Sequence, residues 1–524
     1  MTDDGFPNHP LSRRRMLGLM AAGGTGLLAA ACGVSTSTNQ IRKVNAGDFK
    51  ISRSGARLPT GDVSLTWMDS GDQKAVFFDA FFPAYTKKHP NIKIAYTGTN
   101  WNTIQQTVLL GMENGSAPDV FQLPPSVTAP QAVQNKWVGA FDDLIPNFAD
   151  LKKKYPVGSF ANGVTDFGGK TYGMPVTSNT RIGNFMLYDT QYMKAAGYEP
   201  SKEPLTWDEF RTALKKITKA GDGKYFGIIA GLTQAGQLSG VVDTLAEMAG
   251  AHGIISAATG PSAPSPYTGN YMLASDQYQA ATELLLAIKS DGSFFPGSSS
   301  IDAPGARSRF PLGVAGVIMQ GPWNIPAWRL SNPDFPLGLA MPPVQKSLAR
   351  SFPLSRQPGG SNVWFRSVNT KLGPVIGDIF HYLSTLNGQI QWAEYDGGGD
   401  PPAFTEALKY SKLDPLSARA ADFANKYTVL LPYPPAKNAH LSTVLQLFKT
   451  PTPDWSDTMV GLFTGQISTS PKAALAAVQS RYEQALETAI KAANAKLGTH
   501  ITQDDFKVPG WNPRQSDTGY YTSS

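Results

Sequence analysis

Between residues 63 and 121 the sequence alternates strand and helix patterns, and this rhythm restricts the fold more than any other feature. Val63-Ser64-Leu65-Thr66-Trp67-Met68 alternates apolar and polar side chains, the period of a strand. Phe78, Phe81, Phe82 and Tyr85 fall at i, i+3, i+4 and i+7, which predicts a helix with one apolar face. Ile92, Ile94 and Tyr96 alternate again, a helix is expected near Thr103–Asn114, and Ala117-Pro118-Asp119 turns into a third strand at Val120-Phe121. Strands separated by helices form βαβ units, because parallel neighbours need a long crossover whereas antiparallel ones need only a tight turn.

The stretch 167–210 adds turn, strand and helix signals. Gly168-Gly169 supplies the positive φ of a tight turn, and Pro175 fixes a bend after Tyr172. Phe185 to Tyr188 is an apolar run short enough for a buried strand. Thr206 and Glu209 form a capping box and Leu205 with Phe210 the matching hydrophobic staple, so a helix starts near Trp207. Farther on, 225–229 reads as a strand, 238–250 and 276–289 as helices, and 253–272, punctuated by Gly, Ser and Pro, as a surface loop. Gly313 to Gln320 reads as a small, apolar buried strand that emerges at a Gly321-Pro322-Trp323 turn. Ser470 suits an N-cap and Pro471 a first helical position, before a long helix with Leu475, Val478, Tyr482, Leu486 and Ile490 on one face. Residues 505–524 read as a loosely packed tail.

Five of these segments resemble a known family. Gly169-Lys170-Thr171-Tyr172-Gly173-Met174-Pro175, Leu187-Tyr188-Asp189 and Pro204-Leu205-Thr206-Trp207-Asp208-Glu209-Phe210 are similar to the hinge region of bacterial extracellular solute-binding proteins of the sugar-binding type, the receptors of ABC importers. Gly115-Ser116-Ala117-Pro118-Asp119-Val120 resembles the element that precedes a binding loop in that family, and Gly321-Pro322-Trp323 its Gly-x-Trp at the ligand cleft. The resemblance runs from Asp62 to Leu497. It implies a two-lobed periplasmic-binding-protein-like α/β fold, each lobe a mostly parallel sheet flanked by helices, with several crossings between lobes. Lobe one is expected over 62–172 plus 343–395, lobe two over 173–342 plus 396–500, and a C-terminal tail over 501–524. Further crossings are expected near 342–343 with 358–361, and near 397–402. The implied function is capture of a sugar or sugar-like solute between the lobes by a monomer, with delivery to an ABC permease and its ATPase. No cofactor and no catalysis are implied.

Residues 1–32 have the character of an export signal. Ser12-Arg13-Arg14-Arg15-Met16-Leu17 resembles a twin-arginine motif. The apolar run Met16 to Ala31 falls short of the roughly 20 residues that span a bilayer. Leu28-Ala29-Ala30-Ala31-Cys32-Gly33 resembles a lipobox, departing from it at Ala29, where Leu is usual. Cys32 is the single cysteine, so no internal disulfide can form, and its place at the end of an apolar leader marks it as the lipid attachment site. Residues 33–61 then read as a flexible tether. The expected location is the extracytoplasmic face of the cell membrane, held by the lipid alone.

Several chemistries find no support. The net charge of +6 is small for 524 residues and its cations are scattered, so no nucleic-acid partner is expected. The six His are dispersed and there is no His-Glu-x-x-His or Cys pair, so no metal site is expected. Gly169-Lys170-Thr171 fails as a P-loop because the first glycine would have to stand where Val164 does. No Gly-x-Ser-x-Gly elbow is present. Two carboxylates suffice for a glycosidase; Glu394, Asp396 and Asp400, or Asp69 with Asp72, therefore leave a secreted carbohydrate-active enzyme as the alternative. A surface adhesion protein is a third reading.

A sugar ring stacks its apolar faces on aromatics and needs planar polar groups for its hydroxyls. Ligands of open α/β sheets bind beyond the carboxyl ends of the strands. Candidates are therefore Asp69 and Ser70 after the first strand, Asn100 and Trp101 after the second, and Gln122 and Ser126 after the third. Asn179 and Arg181, Gln234 and Gln237, Trp323 with Asn324, and Ser361, Asn362 and Trp364 complete the set. Trp67 is assigned to the core, Asp119 to its turn and Trp207 to helix-start packing.

Overall fold

Residues 63–121 fold as their periodicity predicts. The computed structural model describes residues 49–522 except 53, 72, 258 and 259; Cys32, the whole leader, the tether up to residue 48 and Asp72 lie outside the described residues. Strand β1 (Val63–Asp69), helix α1 (Gln73–Lys88), β2 (Ile92–Gly98), α2 (Trp101–Asn114) and β3 (Val120–Phe121) follow in order. β1 runs parallel to β2 from Val63 opposite Ile92 to Asp69 opposite Gly98, and parallel to β3 at Trp67 opposite Val120. Asp119 closes its turn by accepting the Thr66 N–H and hydroxyl, each at 2.8 Å.

Two sheets carry the chain. The first is ordered β2, β1, β3, Val363–Ser367, Val138–Gly139, with Gly173–Pro175 also paired to Val363–Phe365. The second is ordered Leu337–Ala340, Phe185–Asp189, Ala315–Gln320, Phe226–Ile229. Both are mixed, which corrects the expectation of mostly parallel sheets. Val363–Ser367 is antiparallel to β3, and Phe185–Asp189 is antiparallel to both its neighbours. A helical crossover forces parallel pairing only on the strands it joins. Strands that enter a sheet from the other side of the molecule carry no such constraint.

The cores are aromatic under the first sheet and aliphatic with aromatics under the second. Trp67, Phe77, Phe78, Phe81 and Trp392 are buried together below the first. Phe210, Leu214, Ile217, Val242 and Leu245 pack below the second. The capping box is formed: Thr206 N–H donates to Glu209 Oε2 at 2.8 Å and Glu209 N–H to Thr206 Oγ1 at 3.3 Å. Trp207 donates its indole N–H to Pro343 O at 3.1 Å, as helix-start packing requires.

Two surface expectations are corrected. Residues 253–272 include a short antiparallel pair, Ile255–Ala257 with Gly260–Ala263, and bury Tyr271 against Tyr482 of the long helix Pro471–Leu497. The tail is not loose: Phe506 and Trp511 are buried, and the Tyr521 hydroxyl donates to Leu431 O at 2.6 Å. Both segments are held by residues distant in sequence, which local composition does not reveal.

Between the sheets three segments lie side by side. Ser178 N–H donates to Pro401 O at 2.8 Å, Asn362 N–H to Thr177 Oγ1 at 2.7 Å, and Asn179 Nδ2 to Pro358 O at 3.2 Å. Pro343 stays with the second sheet, where Val344 N–H donates to Leu205 O at 2.9 Å.

Candidate functional site

The carboxyl ends of the strands open on a cavity of about 930 Å³ that has both sheets in its wall. From the first sheet it is lined by Ser70, Asn100, Trp101 and Ser126; from the second by Gln237, Gln320 and Trp323; from the connecting segments by Arg181, Ser361 and Asn362. Of the candidates read from the sequence, Ser70, Asn100, Trp101, Ser126, Arg181, Gln234, Gln237, Trp323, Ser361 and Asn362 therefore line this one cavity.

Asp69, Gln122, Asn179 and Trp364 do not line it, so the expected direct ligand contact is corrected for each. Trp364 is fully buried, edge-on to Trp392 with ring centroids 5.8 Å apart, because inward alternation on Val363–Ser367 sends it into the core. Asp69 is also fully buried; its Oδ1 accepts the Gly71 N–H at 2.8 Å and the Tyr96 hydroxyl at 2.9 Å. Burial raises its pKa, against the opposing pull of Lys74. Gln122 is a positioning residue: its Oε1 accepts the Ser70 N–H at 2.8 Å and its Nε2 donates to Asn362 Oδ1 at 2.9 Å. Asn179 spends its amide on Gln357 O and Pro358 O and lines a different cavity.

The wall offers hydrogen-bonding capacity that the protein leaves unused. Ser70 Oγ, Gln73 Oε1 and Asn362 Nδ2 are buried and have no partner among the described residues. Buried polar groups are ordinarily paired, and an unpaired one costs about 1–3 kcal/mol. All three belong to residues that line the cavity. Opposite them Gln237, Gln320 and Asn324 form an amide chain, with Gln320 Nε2 to Gln237 Oε1 and Asn324 Nδ2 to Gln320 Oε1 each at 3.2 Å.

Trp323 is fixed from several sides. Its ring lies over Gly321, where a Cβ would stand 1.8 Å from the indole, so only glycine permits this turn. The Arg181 guanidinium carbon sits 4.8 Å from the ring centroid, a cation–π contact. Arg181 is in turn ion-paired with Asp400, which also takes Gln73 Nε2 and has Lys74 Nζ at 3.6 Å. Asp396 Oδ2 accepts the Asp400 N–H at 2.6 Å; burial, then the charge of Asp400, hold the Asp396 carboxyl well above the usual range.

Sequence reasoning missed the acids of the helix Gln237–Met248. Asp243 and Glu247, one turn apart, both line the cavity. Asp243 accepts the Tyr278 hydroxyl, the Ser256 hydroxyl and the Trp455 indole N–H at 2.8–2.9 Å. Burial pushes the Glu247 carboxyl up to about 8, opposed by its bonds from Ser355. An i, i+4 acid pair inside an otherwise apolar helix was the available signal. Among the described residues no group of three or more His, Cys, Asp or Glu could hold a metal ion, and no helix is long and apolar enough to cross a membrane.

A family model described as bacterial extracellular solute-binding protein matches residues 80–423, more than half of the chain. The chain belongs to this family. An extracytoplasmic location goes with it. Among relatives of this solute-binding protein, an uncharacterised lipoprotein in the oleD 5′ region of Streptomyces antibioticus is 30% identical over 139 residues, 26% of this chain and 29% of the relative. An uncharacterised ABC transporter extracellular-binding protein of Pyrococcus horikoshii is 26% identical over 215 residues, 39% of this chain and 44% of the relative. The matches thus span less than half the length of either curated relative. Solved structures agree over more of the chain. One from a study of xylan utilisation by Caldanaerobius polysaccharolyticus has a TM-score of 0.60 at 17% identity, covering 80% of this chain and 99% of its own. An ABC transporter solute-binding protein of Thermotoga lettingae bound to α-D-tagatose has a TM-score of 0.60 at 15% identity, covering 81% and 99%. The fold is the two-lobed, periplasmic-binding-protein-like one.

Proposed function

We propose that this solute-binding protein captures a sugar or sugar-like solute in the 930 Å³ cavity and delivers it to an ABC permease and ATPase. The observation that carries the reading is a cavity whose lining combines the indoles of Trp101 and Trp323 with the polar residues Ser70, Gln73 and Asn362, each of which keeps one polar atom unpartnered. Stacking on the indoles and hydrogen bonds to those atoms together match the apolar faces and hydroxyl edges of a pyranose. Relatives support the solute class, since structures of similar fold hold α-D-tagatose and raffinose. In this reading the two sheets are the cores of two lobes that close over the ligand about the three connecting segments. The mature protein is a monomer held to the membrane by acyl chains on Cys32 after export by the twin-arginine route.

Carboxylates 394–400 have structural partners that account for their placement. Asp400 balances Arg181 and Lys74, Asp396 accepts the Asp400 backbone N–H, and Glu394 accepts the Lys412 N–H at 3.4 Å.

The test uses purified protein and a panel of mono- and oligosaccharides, with tryptophan fluorescence and product analysis run on the same samples. Saturable quenching with intact sugar is expected, and Trp323→Ala should weaken the affinity of the sugar so identified by about tenfold or more, from loss of stacking. Sugar turnover would establish the enzyme instead. An unchanged affinity in Trp323→Ala would remove that residue from the contact set.

A further inference from the structure

A second cavity, of about 380 Å³, lies against the connecting segments. Its wall combines neutral polar side chains, among them Ser159, Ser178, Asn179, Thr428 and Ser516, with the apolar Pro156, Val157 and Leu430. Arg356 is the one charged residue among those lining it. It ends the short strand Leu354–Arg356, which pairs in parallel with Thr428–Leu430, so its backbone is held in register opposite Leu430. The side chain has no counter-ion: Nε is buried without an acceptor, and no described residue forms an ion pair with the guanidinium. Burial accordingly lowers its pKa.

A half-buried guanidinium that lines a cavity without a counter-ion invites an anion. Even partial desolvation of a charge without a partner costs free energy, and a bound anion offsets that cost. The planar fork of donors on Arg fits carboxylate and phosphate oxygens in pairs, and the surrounding hydroxyls can take the remaining oxygens. A cavity this size admits an oxyanion with a few waters, each occupying about 30 Å³. No acid lines the wall to compete.

We infer that Arg356 and the hydroxyl-rich cavity around it form a binding site for a small oxyanion, a phosphate or a carboxylate, separate from the sugar cavity. Its wall includes Ser178 and Asn179 of one connecting segment, Gln357 and Gly359 of another, and Ser516 of the C-terminal tail. A bound anion would therefore tie the tail to the segments on which the lobes turn. Ser516 is already fastened there, its Oγ accepting the Leu430 N–H at 3.0 Å.

Calorimetric titration of the full-length protein with inorganic phosphate, and separately with citrate, tests the site and tells the two anion classes apart. Saturable binding of at least one probe is expected. Arg356→Gln should weaken it by about tenfold or more, the usual loss for a charge-assisted hydrogen bond pair. Arg356→Lys should fall between, since it keeps the charge and loses the fork. Trp323→Ala should leave anion binding unchanged, which separates this site from Arg181 and the sugar cavity. Asn425→Asp places an acid on the cavity wall from an exposed helix position and should also weaken the anion, so it carries the test should Arg356→Gln fail to fold. Absence of saturation with both probes, binding indifferent to Arg356→Gln and Asn425→Asp, or binding that follows Trp323 would overturn the assignment.

Discussion

Asp400 decides how the cavity floor is charged. Its side chain is 2% exposed and faces Lys74 at 4% and Arg181 at 21%, so two cations depend on one carboxylate shielded from solvent. Removing one partner of a buried pair typically costs about 3–5 kcal/mol, because the other is left uncompensated. Asp400→Asn should therefore lower thermal stability by an amount of that order and release Arg181 from Trp323; calorimetric unfolding with tryptophan emission checks both. A melting temperature unchanged from wild type would show that the cations find other partners. Glu247 makes the opposite prediction about pH. Its pKa is raised from 4.5 to about 8 by burial, so the folded state holds this proton more tightly than the unfolded chain. Between those values folding takes up a proton, and the stability that Glu247 allows at low pH is lost as pH rises to about 8. Glu247→Gln cannot ionise. Its denaturant midpoint should match wild type near pH 5 and exceed it near pH 8, and a constant difference across that window would contradict the assignment.

Elements show where local sequence suffices. The helix Trp207–Gly221 begins where Thr206 and Glu209 place it, since both halves of a capping box lie within four residues. Thr206→Ala should cost about 1 kcal/mol, measured as a shift in urea midpoint, and Thr206→Ser should restore most of it. The rhythm of β1, α1, β2, α2 and β3 was legible for the same reason: each period is written in its own segment. Partners chosen over long distances were not. Val363–Ser367 enters beside β3 more than 240 residues later in the chain and turns the sheet mixed. Tyr271 looks like loop until Tyr482 packs on it. The site divides likewise. Rules about strand ends found Ser70, Trp101 and Trp323, which lie within three residues of where a strand stops, and Gln237, eight beyond Ile229. They misplaced Asp69 and Trp364, whose side chains point inward from the strands themselves, and were silent on Asp243 and Glu247, which arrive on a helix.

At the scale of the whole molecule, the segment 434–448 joins what a closing motion would separate. Leu441, Val444 and Leu445 belong to the core below the second sheet. Yet Phe448 O accepts from Gln131 Nε2 at 3.4 Å and Pro435 O from Asn162 Nδ2 at 3.3 Å, both donors standing on the side of the first sheet. If the lobes open about segments 177–179, 358–362 and 401–402, these two bonds must break while those of the segments persist. Each contributes about 0.5–1.5 kcal/mol to the closed form alone. Gln131→Glu keeps the oxygen that accepts the Thr128 N–H in its own capping box and replaces the donor to Phe448 O by a carboxylate oxygen that repels it. Asn162→Asp removes the other donor in the same way. The double variant should retain its melting temperature within a few degrees and release its bound solute faster, by about fivefold or more, with little change in association rate, because affinity differences among variants of one interface reside mostly in dissociation. Stopped-flow tryptophan fluorescence reads both rates. Dissociation at the wild-type rate would mean that segment 434–448 travels with the first sheet's side during closure and that the moving boundary lies inside the second.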